Sequence, residues 1–246
     1  MSLLCTGVSA QGGLQLFLGP SIGIGLVSPQ NHYGNEHYEL DYKFSPAFGG
    51  NLNIGYGFND MISLQLLVGY QQFNQKYADK FRPGLGDLPQ SHRKTVNQSY
   101  IEFGLLVKVA RLLGDSYVYD RGIQLFVETG FVVGKLMTAN LHYYVHKDGM
   151  EEVEIPYPGN ISPYTSSPYT AISKDKDLFT PWALIFNLNL GMDVFVGEKL
   201  AFSPSILGQL SLTDTNAKTY RKHDNYKSSR LFFGGINIGV TYFISR

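Results

Sequence analysis

The chain has 246 residues with 20 basic and 20 acidic side chains, so its formal net charge is zero. That balance argues against a nucleic-acid-binding surface, which needs a clustered positive face. Only 16% of the residues are charged, against roughly 25% in soluble domains. Tyr, Phe and Gly are abundant, at 17, 16 and 27 residues.

The first ten residues, MSLLCTGVSA, predict the remnant of a secretory signal peptide. A short apolar run is followed by Val8-Ser9-Ala10, which places small residues before Gln11. Cys5 is the only cysteine, so no intramolecular disulfide can form. Leu4 before it is not the small residue that a lipid-anchored cysteine needs. The sequence has no run of 18 apolar residues, so no transmembrane helix is predicted.

Eight segments then alternate apolar and polar residues with the period of two that a half-buried strand requires. They cover about 14–26, 43–58, 61–70, 97–111, 122–134, 181–197, 200–212 and 232–244. The segment PWALIFNLNLGMDVFVG has the cleanest pattern, with eight apolar side chains from Trp182 to Val196 on one face. Alternation weakens near Lys135, which predicts a β-bulge there.

Short and long links alternate between these segments. The short links are Asn59-Asp60, 112–121 and 197–199, and the long links are about 28–42, 78–95, 146–180 and 215–228. Outer-membrane barrels have this asymmetry, with short periplasmic turns and longer outer loops. An even number of strands places both chain ends on the short-turn side.

The two faces of the segments differ in composition. One is Leu, Ile, Val and Phe almost throughout, whereas the other is mostly Gly, Ser, Asn, Gln and Ala. Small and amide residues suit the confined interior of an eight-stranded barrel, which side chains can fill. Residues 11–246 therefore predict a single all-β domain, an eight-stranded antiparallel up-and-down transmembrane β-barrel. A soluble lipocalin-like barrel, with the apolar set inside, is the alternative.

Polar residues on the inferred inner face are the first candidate site. Four are charged, namely Glu102, Lys108, Glu128 and Asp193, and six are amides, namely Asn51, Asn53, Gln65, Asn187, Asn189 and Asn237. Glu102 and Lys108 lie roughly 20 Å apart along one strand and cannot pair with each other. Buried charges must be paired or hydrated, so we predict either a salt-bridge cluster that fixes the register or a path for ions or protons.

The long links hold the remaining candidates. All six histidines lie in or beside them, and Ser28, Glu36, Asp41, Ser91 and Ser229 could be partners in a lipid-modifying enzyme. The histidines are His32, His37, His92, His142, His146 and His223. Their spacing defines no triad and no metal signature, so no catalytic residue, metal or cofactor is predicted. Tyr157, Tyr164 and Tyr169 lie in a Pro-rich link and predict a mobile surface loop or a partner-binding arm.

Three features carry a resemblance that spans about residues 13–246. They are the Asn-Asp turn after IGYGF, the signal ending in Ala-Gln, and the closing GINIGVTYFISR. Together with the eight segments they resemble the PorT-like outer-membrane β-barrel family. The closing strand departs from the usual terminal aromatic residue, because Ile244-Ser245-Arg246 follow Phe243.

The resemblance implies a Gram-negative outer-membrane protein, and the member that names the family works with the type IX secretion machinery. We expect outer-membrane lipid around the barrel, extracellular loops and periplasmic termini. The predicted function is a non-enzymatic barrel that docks envelope or secretion-system proteins and binds no nucleic acid. A narrow pore for small solutes and an outer-leaflet lipid A-modifying enzyme remain alternatives.

Overall fold

Eight long strands and two short ones form one sheet in the computed structural model. The structure describes residues 13–28, 41–59, 61–80, 90–113, 122–147, 153–154, 178–218, 221 and 228–244. The strands are β1 (Gly13–Ser28), β2 (Asp41–Lys43), β3 (Pro46–Gly57), β4 (Ile62–Lys80), β5 (Gln90–Leu113), β6 (Ile123–Lys147), β7 (Val153–Glu154), β8 (Trp182–Phe195), β9 (Leu200–Ser211) and β10 (Arg230–Phe243). The predicted signal remnant at 1–10 lies outside the described residues.

The eight long strands close into a barrel. Each pairs antiparallel with the next long strand along the chain, and β1 pairs with both β3 and β10. At one level of the barrel Leu18 lies opposite Leu52 on one side and Val240 on the other. Short β2 adds to β4, and β7 adds to β6. The predicted eight-stranded up-and-down barrel is confirmed.

Tight turns join the strands at the end of the barrel where β3 meets β4 and β8 meets β9, here called the short-turn end. Asn59 Oδ1 accepts hydrogen bonds from the backbone N–H groups of Met61 and Ile62 at 2.9 and 2.7 Å. Gly197, with φ of +137°, lies in the turn from β8 to β9, a backbone conformation that favours glycine. The opposite end is the long-link end.

The apolar face of every long strand points outward. Members of this belt include Leu18, Ile22, Phe48, Ile54, Leu66, Phe103, Phe131, Leu190, Ile206, Ile236 and Ile238, all of them exposed. A soluble barrel would bury this set, so the outward orientation contradicts the lipocalin-like alternative and suits a barrel wrapped by lipid. No helix among the described residues is long and apolar enough to cross a membrane.

Aromatic side chains border the belt at both ends, as they do in membrane barrels. Exposed Tyr56, Phe58, Phe202 and Tyr242 lie near the short-turn end, and exposed Phe44, Tyr70 and Trp182 lie near the long-link end. Tyr70, Ile101, Lys135 and Trp182 occupy one row across β4, β5, β6 and β8. This row, the belt boundary, marks where the outward side chains cease to be apolar.

The lipid-facing assignment predicts the effect of a charge in the middle of the belt. Ile206 lies midway along β9 with 67% of its surface exposed, so Ile206→Lys should leave a soluble barrel nearly unchanged. In lipid vesicles we expect it to lower the free energy of unfolding by about 2–4 kcal/mol, measured by urea titration. Glu198→Lys in the exposed turn is the control. Equal, small effects of both variants would mean that the belt does not contact lipid.

Three strands continue well past the belt boundary. β4 runs on from Tyr70 to Lys80, β5 begins at Gln90, and β6 extends to Lys147, which corresponds to about 32–41 Å of strand at the usual rise. Apart from Met137, the outward side chains described here are polar, for example Gln72, Asn74, Lys76, Thr95 and Asn97. The predicted long link at about 78–95 was therefore too long, because strand pairing continues where the apolar pattern ends.

A bulge interrupts β6 just beyond the belt boundary. Tyr100 pairs with Leu136 whereas the adjacent Ser99 pairs with Thr138, so Met137 is the extra residue. Its position is two residues past Lys135, near where the weakened alternation predicts a bulge. The bulge lets Leu136 and Ala139 both turn inward.

The interior has an apolar cluster toward each end, whereas the inner face was predicted to be mostly Gly, Ser, Asn, Gln and Ala. At the long-link end Phe73, Tyr100, Leu136, Leu231 and Phe233 are buried with Leu178 and Phe179, and this group is called the plug. Phe195, Ala201 and Phe243 form a second cluster at the short-turn end, with the two rings 5.5 Å apart. The polar candidates lie between these clusters.

Candidate functional site: the lumen of the barrel

A buried ion pair lies toward the short-turn end of the lumen. Lys108 Nζ on β5 is 2.7 Å from Asp193 Oδ2 on β8, and both side chains are almost fully buried. Asp193 Oδ1 also accepts a hydrogen bond from Ser203 Oγ at 2.6 Å, and Ser203 Oγ is 2.8 Å from Thr241 Oγ1. The four side chains link β5, β8, β9 and β10 across the lumen.

Two further contacts complete the surroundings of Lys108. Its ammonium lies 4.1 Å from the ring centroid of Phe126 on the intervening β6, a cation–π geometry. Glu128 is directly opposite Lys108 in the β5–β6 register and accepts a hydrogen bond from Asn189 Nδ2 at 3.5 Å. Lys108, Glu128 and Asp193 therefore lie together, whereas the fourth predicted charge does not.

Glu102 occupies the other end of the polar region, beneath the plug. Its Oε2 accepts a hydrogen bond from Gln209 Nε2 at 3.0 Å, across the lumen from β5 to β9. Six residues of one strand separate it from Lys108, about 20 Å at the usual rise. The structure thus has two separate sites of charge, one centred on Lys108 and one on Glu102.

The amides form a ladder along the opposite wall. Asn51 Nδ2 donates to Asn53 Oδ1 at 2.7 Å, and Asn53 Nδ2 donates to Gln65 Oε1 at 2.9 Å. Asn237 Nδ2 donates to Asn51 Oδ1 at 3.4 Å, across a glycine of β1. A Cβ at Gly19 would lie 2.6 Å from both Asn237 Oδ1 and Phe17 Cζ, so a larger residue at position 19 would displace these side chains.

Asn187 and Asn189 carry the polar row on β8. Asn187 pairs in register with Gln209 of β9, and Asn189 pairs with Glu128 of β6. These pairs form a polar band that leads from Glu102 through Gln209, Asn187 and Asn189 to Glu128. The band surrounds a cavity of about 10 Å³, close to the ~10–15 Å³ that one water molecule requires.

Three of the residues that hold this network were placed on polar faces by the alternation but not selected as site residues. They are Ser203, Gln209 and Thr241, which contact Asp193, Glu102 and Ser203 respectively. Alternation assigns a residue to the lumen without naming its partner, because partners come from strands far apart in sequence. Selecting every polar residue on the inward-facing positions of each strand would have included these three residues.

The structure describes only some of the predicted loop residues. Tyr157, Tyr164, Tyr169, His32, His37 and His223 lie outside the described residues. His92, His142 and His146 lie on the extended parts of β5 and β6. Within the described ranges no group of three or more His, Cys, Asp or Glu residues could hold a metal ion.

Small outer-membrane barrels are the solved structures to which the chain is similar. The chain matches OprG of Pseudomonas aeruginosa with 11% identity and a TM-score of 0.42, covering 96% of this chain and 98% of OprG. It matches Neisserial surface protein A with 9% identity and a TM-score of 0.40, covering 94% and 98%. It also matches the N-terminal barrel of Pseudomonas aeruginosa OprF with 11% identity and a TM-score of 0.37, covering 95% and 100%.

Neither a family profile nor a characterised protein sequence matches the chain. The fold assignment rests on the closed strand pairing and the exposed belt, since the structural similarities are low. The resemblance to PorT-like barrels stays a prediction from the sequence pattern.

Proposed function

We propose that this chain is an integral barrel of the Gram-negative outer membrane that acts without catalysis and docks partner proteins. The observation that carries this proposal is the sheet of β4, β5 and β6 that rises past the belt boundary. Most of the outward side chains that the structure describes on this sheet are polar, so the sheet projects into water beside the membrane. Partners of this projecting sheet are envelope or secretion-system proteins.

The interior supports a docking role more than a transport role. Apolar clusters border the polar band at both ends, and the cavity between them has room for about one water-sized molecule. A pore for small solutes needs a continuous wet path, which these clusters oppose. The long-link end is then the surface on which function depends.

The sizes of the links support an orientation with the projecting sheet outside the cell and both chain ends in the periplasm. Short turns of outer-membrane barrels face the periplasm, and longer loops face outward. A cysteine introduced at Lys76, an exposed residue of the projecting sheet, tests this orientation. It should react with a membrane-impermeant maleimide on intact cells. A cysteine at Glu198 is the matched control for the short-turn end.

The docking role is tested by purification in gentle detergent from the native cells. The barrel should co-purify with envelope proteins in constant stoichiometry, and Tyr157→Ala, Tyr164→Ala and Tyr169→Ala together should remove them. Folding is checked by heat-modifiable gel mobility, which the triple variant should retain. Repeated isolation of a bare monomer from unmodified cells, after mild chemical crosslinking, would count against docking.

A further inference from the structure

Five buried oxygen atoms that surround one cavity lack a hydrogen-bond donor. They are Glu102 Oε1, Asn187 Oδ1, Asn189 Oδ1, Gln209 Oε1 and Asn237 Oδ1. Every one of these side chains is at least 96% buried, and all five residues line the lumen cavity. A buried acceptor without a donor is destabilising, and here the unpartnered atoms of the cavity are all acceptors. These oxygens therefore lack a donor or a bound cation.

The buried acidic groups of the lumen also outnumber its ammonium groups. The buried charged residues of the described chain are three carboxylates and one ammonium: Glu102, Glu128, Asp193 and Lys108. Lys108 forms its ion pair with Asp193, so two carboxylates remain. Gln209 and Asn189 each donate one amide hydrogen bond to them, and an amide adds no net charge. A water molecule would supply donors, whereas a cation would also stabilise the ionised form of Glu102, which burial disfavours.

We propose that this cavity binds one hard cation with Glu102 Oε1 as the carboxylate ligand. The neighbouring ligands are the amide oxygens of Gln209 and Asn187, which are paired in register beside Glu102. Glu102 is the anchor because its Oε1 has no partner, whereas Glu128 lies opposite the Lys108 ammonium. One ion cannot contact both carboxylates, whose backbones lie about 20 Å apart along the strands.

The size of the cavity and the chemistry of its lining residues limit which kind of cation it can bind. Carboxylate and carbonyl oxygens suit hard ions, and Ca²⁺ accepts sets made wholly of such oxygens. Mg²⁺ usually keeps several waters, for which a cavity with room for one water-sized sphere has no space. His and Cys, which transition metals prefer, do not occur among the lining residues. Ca²⁺ and Na⁺, of similar size, share the required chemistry.

Such an ion would connect opposite walls of the barrel. Glu102 is on β5, Asn187 on β8 and Gln209 on β9, and Glu102 lies two residues from Tyr100 of the plug. The ion would therefore fix the base of the projecting sheet to the far side of the lumen. This site stands independently of the docking role, because it depends only on the lumen.

Equilibrium dialysis with radioactive ⁴⁵Ca²⁺ or ²²Na⁺ tests the site. The barrel is refolded in each ion in a neutral detergent, and empty micelles give the background. We expect about one bound ion per barrel, and Glu102→Gln should weaken binding about tenfold or more because it removes the charged ligand. Gln75→Leu is the matched control, since Gln75 is a buried amide of β4 that neither lines the cavity nor belongs to the amide ladder. It should bind the ion as the unmodified barrel does.

A second variant keeps the test decisive should Glu102→Gln fail to fold. Asn187→Asp adds a carboxylate beside Glu102 and should tighten Ca²⁺ binding about tenfold, with folding checked by heat-modifiable gel mobility. Binding of either ion supports the proposal, and the better-bound one identifies the occupant. No binding above background by a folded barrel, or equal binding by the unmodified barrel and both cavity variants, would overturn it.

Discussion

Replacing Lys108 with methionine should lower the free energy of unfolding by about 3–5 kcal/mol, the usual cost of removing one partner of a buried ion pair. Methionine has a similar shape but leaves the Asp193 carboxylate, fully buried, with only the Ser203 hydroxyl at hydrogen-bond distance among the contacts described above. The loss of the cation–π contact with Phe126 adds to the effect. Urea titration of the refolded barrel in lipid vesicles measures it.

Two further variants separate the ion pair from general damage to the barrel. Lys108→Met combined with Asp193→Asn should recover much of the lost stability, because both charges of the ion pair are then removed together. Lys135→Met is the matched control, since Lys135 is exposed at the belt boundary and lies 5.6 Å from the Trp182 ring centroid. We expect a loss below about 1 kcal/mol for this control. A similarly small loss for Lys108→Met would contradict a structural ion pair.

Asn53→Leu should destabilise the barrel far more than Ile54→Leu, although the two positions are adjacent on β3. Asn53 is 1% exposed and connects Asn51 to Gln65 through two side-chain hydrogen bonds. Leucine would leave the amides of both partners without that contact, at about 1–3 kcal/mol for each buried polar group. Ile54 faces outward and is 48% exposed, so leucine at that site still contacts lipid, and the cost should stay below about 1 kcal/mol.

The comparison is read from urea midpoints of the two variants in the same vesicles. The two positions are adjacent on one strand and receive the same residue. Ile is enriched and Asn depleted in strands, so strand propensity alone would make Ile54→Leu the more harmful change. Equal midpoints for Asn53→Leu and Ile54→Leu would mean that the amide ladder contributes nothing to stability. A larger loss for Ile54→Leu would mean that the two faces of β3 have been assigned to the wrong sides.

The sequence predicts the barrel and its lipid-facing side because both depend on the transfer of side chains between water, lipid and protein. Alternation from Leu52 to Phe58 reports which side chains face lipid, whatever their partners are. The ends of the strands are less readable. At the start of β5 the stretch QSHRKT is polar on both faces, so periodicity disappears while backbone hydrogen bonds continue to form.

The interior was predicted only in part, for two physical reasons. Leu231 and Phe233 point inward on either side of outward Phe232, so β10 is apolar on both faces there, and strict alternation misses the plug. The contact between Glu102 and Gln209 joins strands that are not neighbours and are 107 residues apart in sequence. A contact across the lumen depends on how the barrel closes and on its shear. The alternation pattern of a single strand carries no information about either.

The barrier formed by the plug and by the short-turn cluster is tested most directly by conductance in planar lipid bilayers. Protein recovered from the bilayer lipid should retain its heat-modifiable mobility, which shows that the inserted barrel is folded, and an open general porin in the same bilayers establishes sensitivity. A lumen closed by Phe73, Tyr100 and Phe233 at one end and by Phe195 and Phe243 at the other predicts no unitary current steps. Reproducible steps of one size from the unmodified barrel would contradict it.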